Sequence, residues 1–238
     1  MLPLLRAALL FLPLLIVIPS RAAAPFQDTI AQRVAACTTC HGKDGRAASD
    51  GYYPRIAGKT EGYLVNQLQN FRDGRRNYVL MNHLVAQFSD DYIREIAHYF
   101  ANLDLPYAAP QPVAVDAATL ARGKVLATQG EVARKLPACA ACHGAALTGM
   151  LPATPGLLGL PRDYLNAQLG AWQVNQRRAH APDCMSQIAR SLTQADILAV
   201  SSWLAAQPIP ANARPASPSA TPLPLQCGPT QANAAARP

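Results

Sequence analysis

Residues 37–42 read Cys-Thr-Thr-Cys-His-Gly, and residues 139–144 read Cys-Ala-Ala-Cys-His-Gly. Two cysteines three apart, with His next, suit thioether bonds to the two vinyl groups of one haem. One turn of helix then presents the imidazole to the iron. Two readings compete. A zinc site built from four cysteines about 100 residues apart would leave both histidines unexplained. A thioredoxin-like C-x-x-C needs a βαβ context, and no such pattern surrounds either motif.

The two motifs sit in a longer repeat. Pro54, Ile56 and Gly58 correspond to Pro155, Leu157 and Gly159. Tyr63, Leu64, Gln67, Leu68 and Phe71 correspond to Tyr164, Leu165, Gln168, Leu169 and Trp172. Met81, Ser89, Ile93 and Tyr99 then match Met185, Thr193, Ile197 and Trp203. The offset drifts only slightly along this run, which means two copies of one unit with small loop-length changes. The expected organisation is a leader at 1–24, a first domain at 26–104, a Pro/Ala linker at 105–115, a second domain at 116–206 and a Pro-rich tail at 207–238.

Both copies read as helical. Leu64, Leu68 and Phe71 fall at i, i+4 and i+7, one apolar stripe on a helix, and Leu165, Leu169 and Trp172 repeat it. A further helix is predicted from Asp90 to Leu103, with Ser89 as N-cap and Ile93, Ile96, Phe100 and Leu103 on its inner face. In the second copy Thr193 and Asp196 form a capping-box pattern. No hairpin signal or alternating strand stands out. Leu105 to Pro112 reads as a semi-extended connection outside the core. Eight prolines from Pro208 onward argue against regular structure in the tail.

Residues 1–24 combine Arg6, an apolar run from Ala7 to Ile18, and Ala22-Ala23-Ala24. This is the order of a secretory signal, and its apolar run is shorter than the roughly 20 residues needed to span a bilayer. The alternative is an uncleaved anchor. Either way the body is expected in the periplasm, where disulfides persist. The formal charge of +7 invites a nucleic-acid reading. Without the leader, however, the chain carries 19 basic and 14 acidic residues, and two haems would add about four carboxylates. Nucleic acid is therefore not implied. The remaining basic excess lies beyond residue 105, which favours the second domain for meeting an acidic redox partner.

An iron held by His on one side needs a ligand on the other. Met81 and Met185 occupy matching places, each eight residues before the cap of the last helix in its copy. Met150 has no counterpart and reads as a loop residue. The predicted iron ligands are thus His41 with Met81 and His143 with Met185.

With these elements in place, the chain resembles the dihaem class I cytochromes c of the cytochrome c4 type over about residues 30–206. The resemblance rests on the two C-x-x-C-H-G motifs, the two Tyr-Leu-x-x-Gln-Leu-x-x-aromatic helices, and the two methionines ahead of capped helices. It implies an all-α fold of two tandem cytochrome c domains. Each domain wraps one covalently bound haem c, attached at Cys37 and Cys40, then at Cys139 and Cys142. It also implies that the carbonyls of Pro54 and Pro155 support the two histidines. The implied role is electron transfer without bond chemistry on a substrate. The expected partners are redox proteins: a terminal oxidase, a bc1-type complex or a dehydrogenase, with peripheral membrane association an option.

The chain departs from the family pattern in three ways. A glycine in the opening helix is represented only by Gly123. The Phe71–Arg75 run becomes Trp172–Gln176, followed by Arg177 and Arg178. Cys184 stands immediately before Met185, and Cys227 lies far out in the tail. In an exported protein these two cysteines are expected to pair. The alternative is that a Cys184 thiolate replaces Met185 on the iron, in the manner of a dihaem sulfur-compound dehydrogenase. His83 and His180 lie near the methionines as further candidate ligands. A cytochrome subunit of a flavin or quinone dehydrogenase is the other rival reading.

Overall fold

The computed structural model describes residues 28–47, 51–110 and 112–228. The expected leader and residues 229–238 of the tail lie outside the described residues. In the first half, α1 (Ile30–Arg33) and α2 (Ala35–His41) are followed by α3 (Glu61–Arg72), α4 (Val79–Val85) and α5 (Asp90–Ala101). In the second half the order repeats as α6 (Ala117–Thr128), α7 (Cys139–His143), α8 (Arg162–Gln173), α9 (Cys184–Ser191) and α10 (Gln194–Ala205). None of the described helices is long and apolar enough to cross a membrane.

The apolar stripes behave as their spacing predicts. Leu64 and Phe71 of α3 are buried, as are Leu165 and Trp172 of α8. One core gathers Val34, Leu64, Val65, Ile93, Ile96, Ala97 and Phe100. The other gathers Leu126, Leu136, Leu147, Leu160, Leu165, Ile197, Val200 and Leu204, with further leucines around them. The caps form as expected. Ser89 accepts the Tyr92 N–H at 3.2 Å, and Thr193 and Asp196 exchange bonds at 3.0 and 3.1 Å in a complete capping box.

Two features differ from the sequence reading. A small antiparallel pair, β1 (Gly149–Met150) with β2 (Thr154–Pro155), follows the second motif. Met150 belongs to it and is buried rather than lying in an open loop. Helices α4 and α9, which carry the two methionines, are also additional to the predicted set.

Helix–helix approach explains Gly123. A Cβ there would lie 2.1 Å from the carbonyl oxygen of Ala199, so α6 and α10 cross too closely for any side chain. In the first half the equivalent contact is made by α1, whose Arg33 pairs with Glu95 of α5 at 3.0 Å. The connection between the halves is anchored, not free. Arg55, only 3% exposed, donates to the carbonyls of Ala57, Leu105 and Pro106 and lies 3.9 Å over the Tyr107 ring. On its other side Tyr107 meets Gly159, where a Cβ would come within 2.4 Å of the ring.

Asp196 ties the second half together. Its carboxylate accepts from Arg122 of α6 and from Arg134, each at 2.9 Å, as well as from the Thr193 N–H. Burial alone would raise its pKa. The Thr193 N–H and the Arg134 and Arg122 guanidiniums overcome that and hold it well below the usual carboxylate range. A depressed carboxylate stabilises the fold above its unfolded pKa of about 4, and the contribution is lost as pH falls from there. Asp196→Asn should therefore lower stability by about 2 kcal/mol at pH 7. Urea unfolding repeated towards pH 3 should show the wild-type advantage shrinking.

Candidate haem sites

Each C-x-x-C-H stretch ends a helix at its histidine, and a glycine with positive φ follows: Gly42 at +74° and Gly144 at +83°. That left-handed step lets the chain turn away directly after the imidazole. It then returns to place a proline carbonyl against the ring. His41 Nδ1 lies 2.8 Å from the Pro54 oxygen, and His143 Nδ1 lies 2.8 Å from the Pro155 oxygen. A carbonyl can only accept, so Nδ1 carries the proton in both rings and Nε2 is left with its lone pair. Burial pushes both imidazole pKa values down, which favours the neutral ring that an iron requires.

The four motif cysteines are unpaired and partly buried. Burial raises the thiols of Cys37 and Cys142, and that of Cys139 is pushed up to about 11. Burial thus holds these three as thiols, in contrast to the activated thiolate of a thioredoxin-type pair. Among the described residues no group of three or more His, Cys, Asp or Glu side chains converges as a metal cluster, so the four-cysteine zinc reading has no geometry behind it.

Both motifs open onto one continuous cavity of about 790 Å³. Cys37, Cys40, His41 and Met81 line its first part, and Cys139, Cys142, His143 and Met185 its second. Each methionine shares the cavity with the histidine of its own half. His180 also lines it, whereas His83 is exposed and does not. Cys184 is joined to Cys227 by a disulfide, which leaves no free thiol there to bind iron.

Where the two parts of the cavity meet, two arginines face each other across a pseudo-twofold axis. The backbone forms an antiparallel bridge between Arg76 and Arg177. It is flanked by Asn77 N–H to Gln176 O at 2.8 Å and Arg178 N–H to Arg75 O at 2.7 Å. Arg76 donates to Tyr164 and Gln168 of the opposite half at 3.0 and 2.6 Å, and to its own Gln67 at 3.0 Å. Arg177 mirrors this with Tyr63, Gln67 and Gln168 at 3.3, 3.0 and 2.7 Å. Each guanidinium folds back over an aromatic ring of the helix that precedes it, Arg76 at 4.5 Å from Phe71 of α3 and Arg177 at 3.8 Å from Trp172 of α8.

Both arginines are buried, at 9% and 6% exposure, and among the described residues neither pairs with a carboxylate. Two buried like charges are costly without an anion beside them. Trp172 Nε1, also lining the cavity, is a buried donor without an acceptor. Lys59 is nearly as enclosed. It reaches from the first half to the Gly156 carbonyl at 2.8 Å, and burial, with Arg55 nearby, pushes its amine down to about 7. An apolar cavity with buried cations and an orphan donor in its lining fits a pair of haems, whose carboxylates these groups would neutralise.

The sequence reading missed Arg76, Arg177 and Lys59 as site residues. The repeat offset of the Tyr and Gln pairs superposes Arg177 on Arg76, so a signal for those two was present. Lys59 had none, because its counterpart is Leu160 and its partner lies in the other half.

No family model matches the chain. It is 37% identical over 175 residues to the thiosulfate dehydrogenase electron acceptor of Thiomonas intermedia, covering 74% of this chain and 80% of that one. It is 32% identical over 174 residues to cytochrome c4 of Pseudomonas aeruginosa, covering 72% and 84%. The crystal structure of reduced cytochrome c4 from Pseudomonas stutzeri superposes with a TM-score of 0.64 at 29% identity, covering 74% of this chain and 95% of that one. With the all-α tandem architecture and the paired histidine sites already in view, these likenesses settle the family: the chain belongs to the dihaem cytochrome c4 family, electron-transfer proteins that carry two covalently bound haem c groups.

Proposed function

We propose that this chain is a periplasmic carrier that takes electrons from a sulfur-compound dehydrogenase and delivers them to a respiratory acceptor such as a terminal oxidase. The observation that carries the reading is the doubled histidine geometry on one shared cavity. Two equivalent sites in contact suit a carrier that loads at one and unloads at the other. The donor class is supported by the relative from Thiomonas intermedia, named for accepting electrons from thiosulfate dehydrogenase. Joining two thiosulfate ions through an S–S bond releases two electrons, which matches one electron for each of two sites. In this reading the domains span 26–104 and 116–206, with residues 1–24 exporting the chain.

The haem, when bound, supplies the Fe(III)/Fe(II) couple. The chain does the rest. Cys37 with Cys40, and Cys139 with Cys142, would hold the two groups by thioethers. His41 and His143 present Nε2 lone pairs, fixed by the Pro54 and Pro155 carbonyls. Met81 and Met185 would hold the iron together with the histidines, and a thioether ligand favours the reduced state. With both ligands supplied by the chain no position would remain for substrate, which leaves electron exchange as the chemistry. Arg76 and Arg177 would neutralise haem carboxylates, and they join the two halves through Tyr63, Gln67, Tyr164 and Gln168.

Replacing Met81 or Met185 by Ala should each remove about half of the Met–iron charge-transfer absorbance and lower one of two potentials in an optical titration. An unchanged spectrum would remove that methionine from the ligand set. Arg177→Leu removes a buried cation shared by both sites. Both potentials should fall, on the order of tens of millivolts. A shift confined to one site, or none, would show that the arginine pair does not face the carboxylates. The donor is tested by stopped-flow mixing with a purified thiosulfate-oxidising dehydrogenase. Reduction of both sites should follow thiosulfate addition, and its rate should depend on salt.

A further inference from the structure

The two halves repeat one another closely enough for each to serve as a control for the other. They differ on the methionine side of the cavity. Among the described residues that side is open in the first half: Val79, Leu80 and Leu84 of α4 are 71%, 59% and 41% exposed, and Tyr52 is 60% exposed. The equivalents in the second half are Asp183, Cys184 and Ile188, all partly buried. The residue standing in the place of the open Leu80 is the cysteine that binds the tail.

The tail reaches that point by a fixed route. Ile209 packs on the second core. The Arg214 carbonyl accepts from Thr148 at 3.1 Å, and the Arg214 guanidinium meets Asp104 at 2.8 Å. Ala216 then joins the edge of β1 as a short parallel bridge, through Ala216 N–H to Gly149 O at 2.9 Å and Leu151 N–H to Ala216 O at 2.8 Å. Beyond it, Leu223, Leu225, Cys227 and Gly228 line the cavity beside His180, Pro182 and Met185. The disulfide from Cys227 to Cys184 fastens the end, and Gly228 N–H donates to Pro182 O at 2.7 Å. A side chain at 228 would meet the His180 carbonyl at 2.3 Å, so the last turn lies flush on the loop ahead of α9.

We infer that residues 209–228 form a covalently latched cover over the Met185 side of the second haem site, closing it to exogenous ligands and partner surfaces while the Met81 side of the first stays open. The inference rests on the dihaem reading above. It adds that the two sites are unequal in access, and that Cys184 and Cys227 are positioning residues for the second.

The test uses ferric holoprotein and cyanide, which reports access whatever protein ligand it displaces. The chains compared are the wild type, the Cys184→Ser/Cys227→Ser double variant, and a chain ending at residue 220 that keeps the Ile209 and Ala216 contacts and carries Cys184→Ser. The sites are told apart by their haem-methyl proton resonances. In the wild type, cyanide should bind the first site at least tenfold faster than the second. In both altered chains the second site should accelerate at least tenfold, with the first unchanged. Equal rates at the two wild-type sites, or a second-site rate untouched by either alteration, would overturn the cover. Haem content separates this from the parent reading. Fewer than two covalent haems per chain would overturn the dihaem assignment, whereas two haems with equal access would overturn only the cover.

Discussion

Each half of this protein folds around a hollow. The apolar cores of the two halves are small, and much of the remaining apolar surface of α3, α4, α8 and α9 lines a cavity instead of meeting protein. A domain of fewer than a hundred residues buries little surface for its length and has small reserves of stability. Filling the hollow with a flat apolar group supplies the missing interior and fixes where the histidine, the methionine and the loop between them must go. The attachment motif, the proline carbonyl and the methionine helix are three separate chain segments, and only a shared object in the hollow explains why they converge.

The polar centre of the molecule follows from the same constraint. A haem carries two carboxylates, and buried cations lining the shared cavity would neutralise them. The chain provides these cations symmetrically, through Arg76 and Arg177 in self-complementary exchange with Tyr63, Gln67, Tyr164 and Gln168. This is the logic of an isologous dimer interface carried out within one polypeptide. Around the sites the symmetry is broken. Lys59 crosses to the second site where the repeat would supply a leucine, and the tail covers one methionine face but not the other. Both departures act on the second site, which therefore differs from the first in charge and in exposure.

Much of this was legible in the residues. The paired motifs, the repeat, the apolar stripes of α3 and α8, and the caps at Ser89 and Thr193 all depend on local spacing, which a sequence displays. The matching positions of Met81 and Met185 were legible for the same reason. Helices α4 and α9 were not, because their faces turn toward the hollow and toward solvent, so Val79, Leu80 and Leu84 give no clean period. The short pair of strands escaped notice because two residues are too few to alternate. The Arg76–Arg177 contact joins positions a whole repeat apart, and each arginine alone looks like a surface charge. Among the described residues of the tail, 207–228, the expectation of irregular structure was right about the lack of helix. It missed the anchoring at Ala216, which depends on a free strand edge that the sequence does not announce.

The connection between the halves has its own consequence. Held by Arg55 and seated against Gly159 through Leu105 to Tyr107, it keeps the second half within reach of the first at all times. Docking is then intramolecular, at an effective concentration on the order of millimolar or above. Two separate chains joined only through hydrogen-bonded arginines, tyrosines and glutamines would have to overcome the full entropic cost of association, and a polar contact of that kind is a weak basis for it. Tethering removes that demand. The meeting surface is thereby free to be polar, shaped by the electrostatics of the two sites and not by the apolar area that a stable dimer would require.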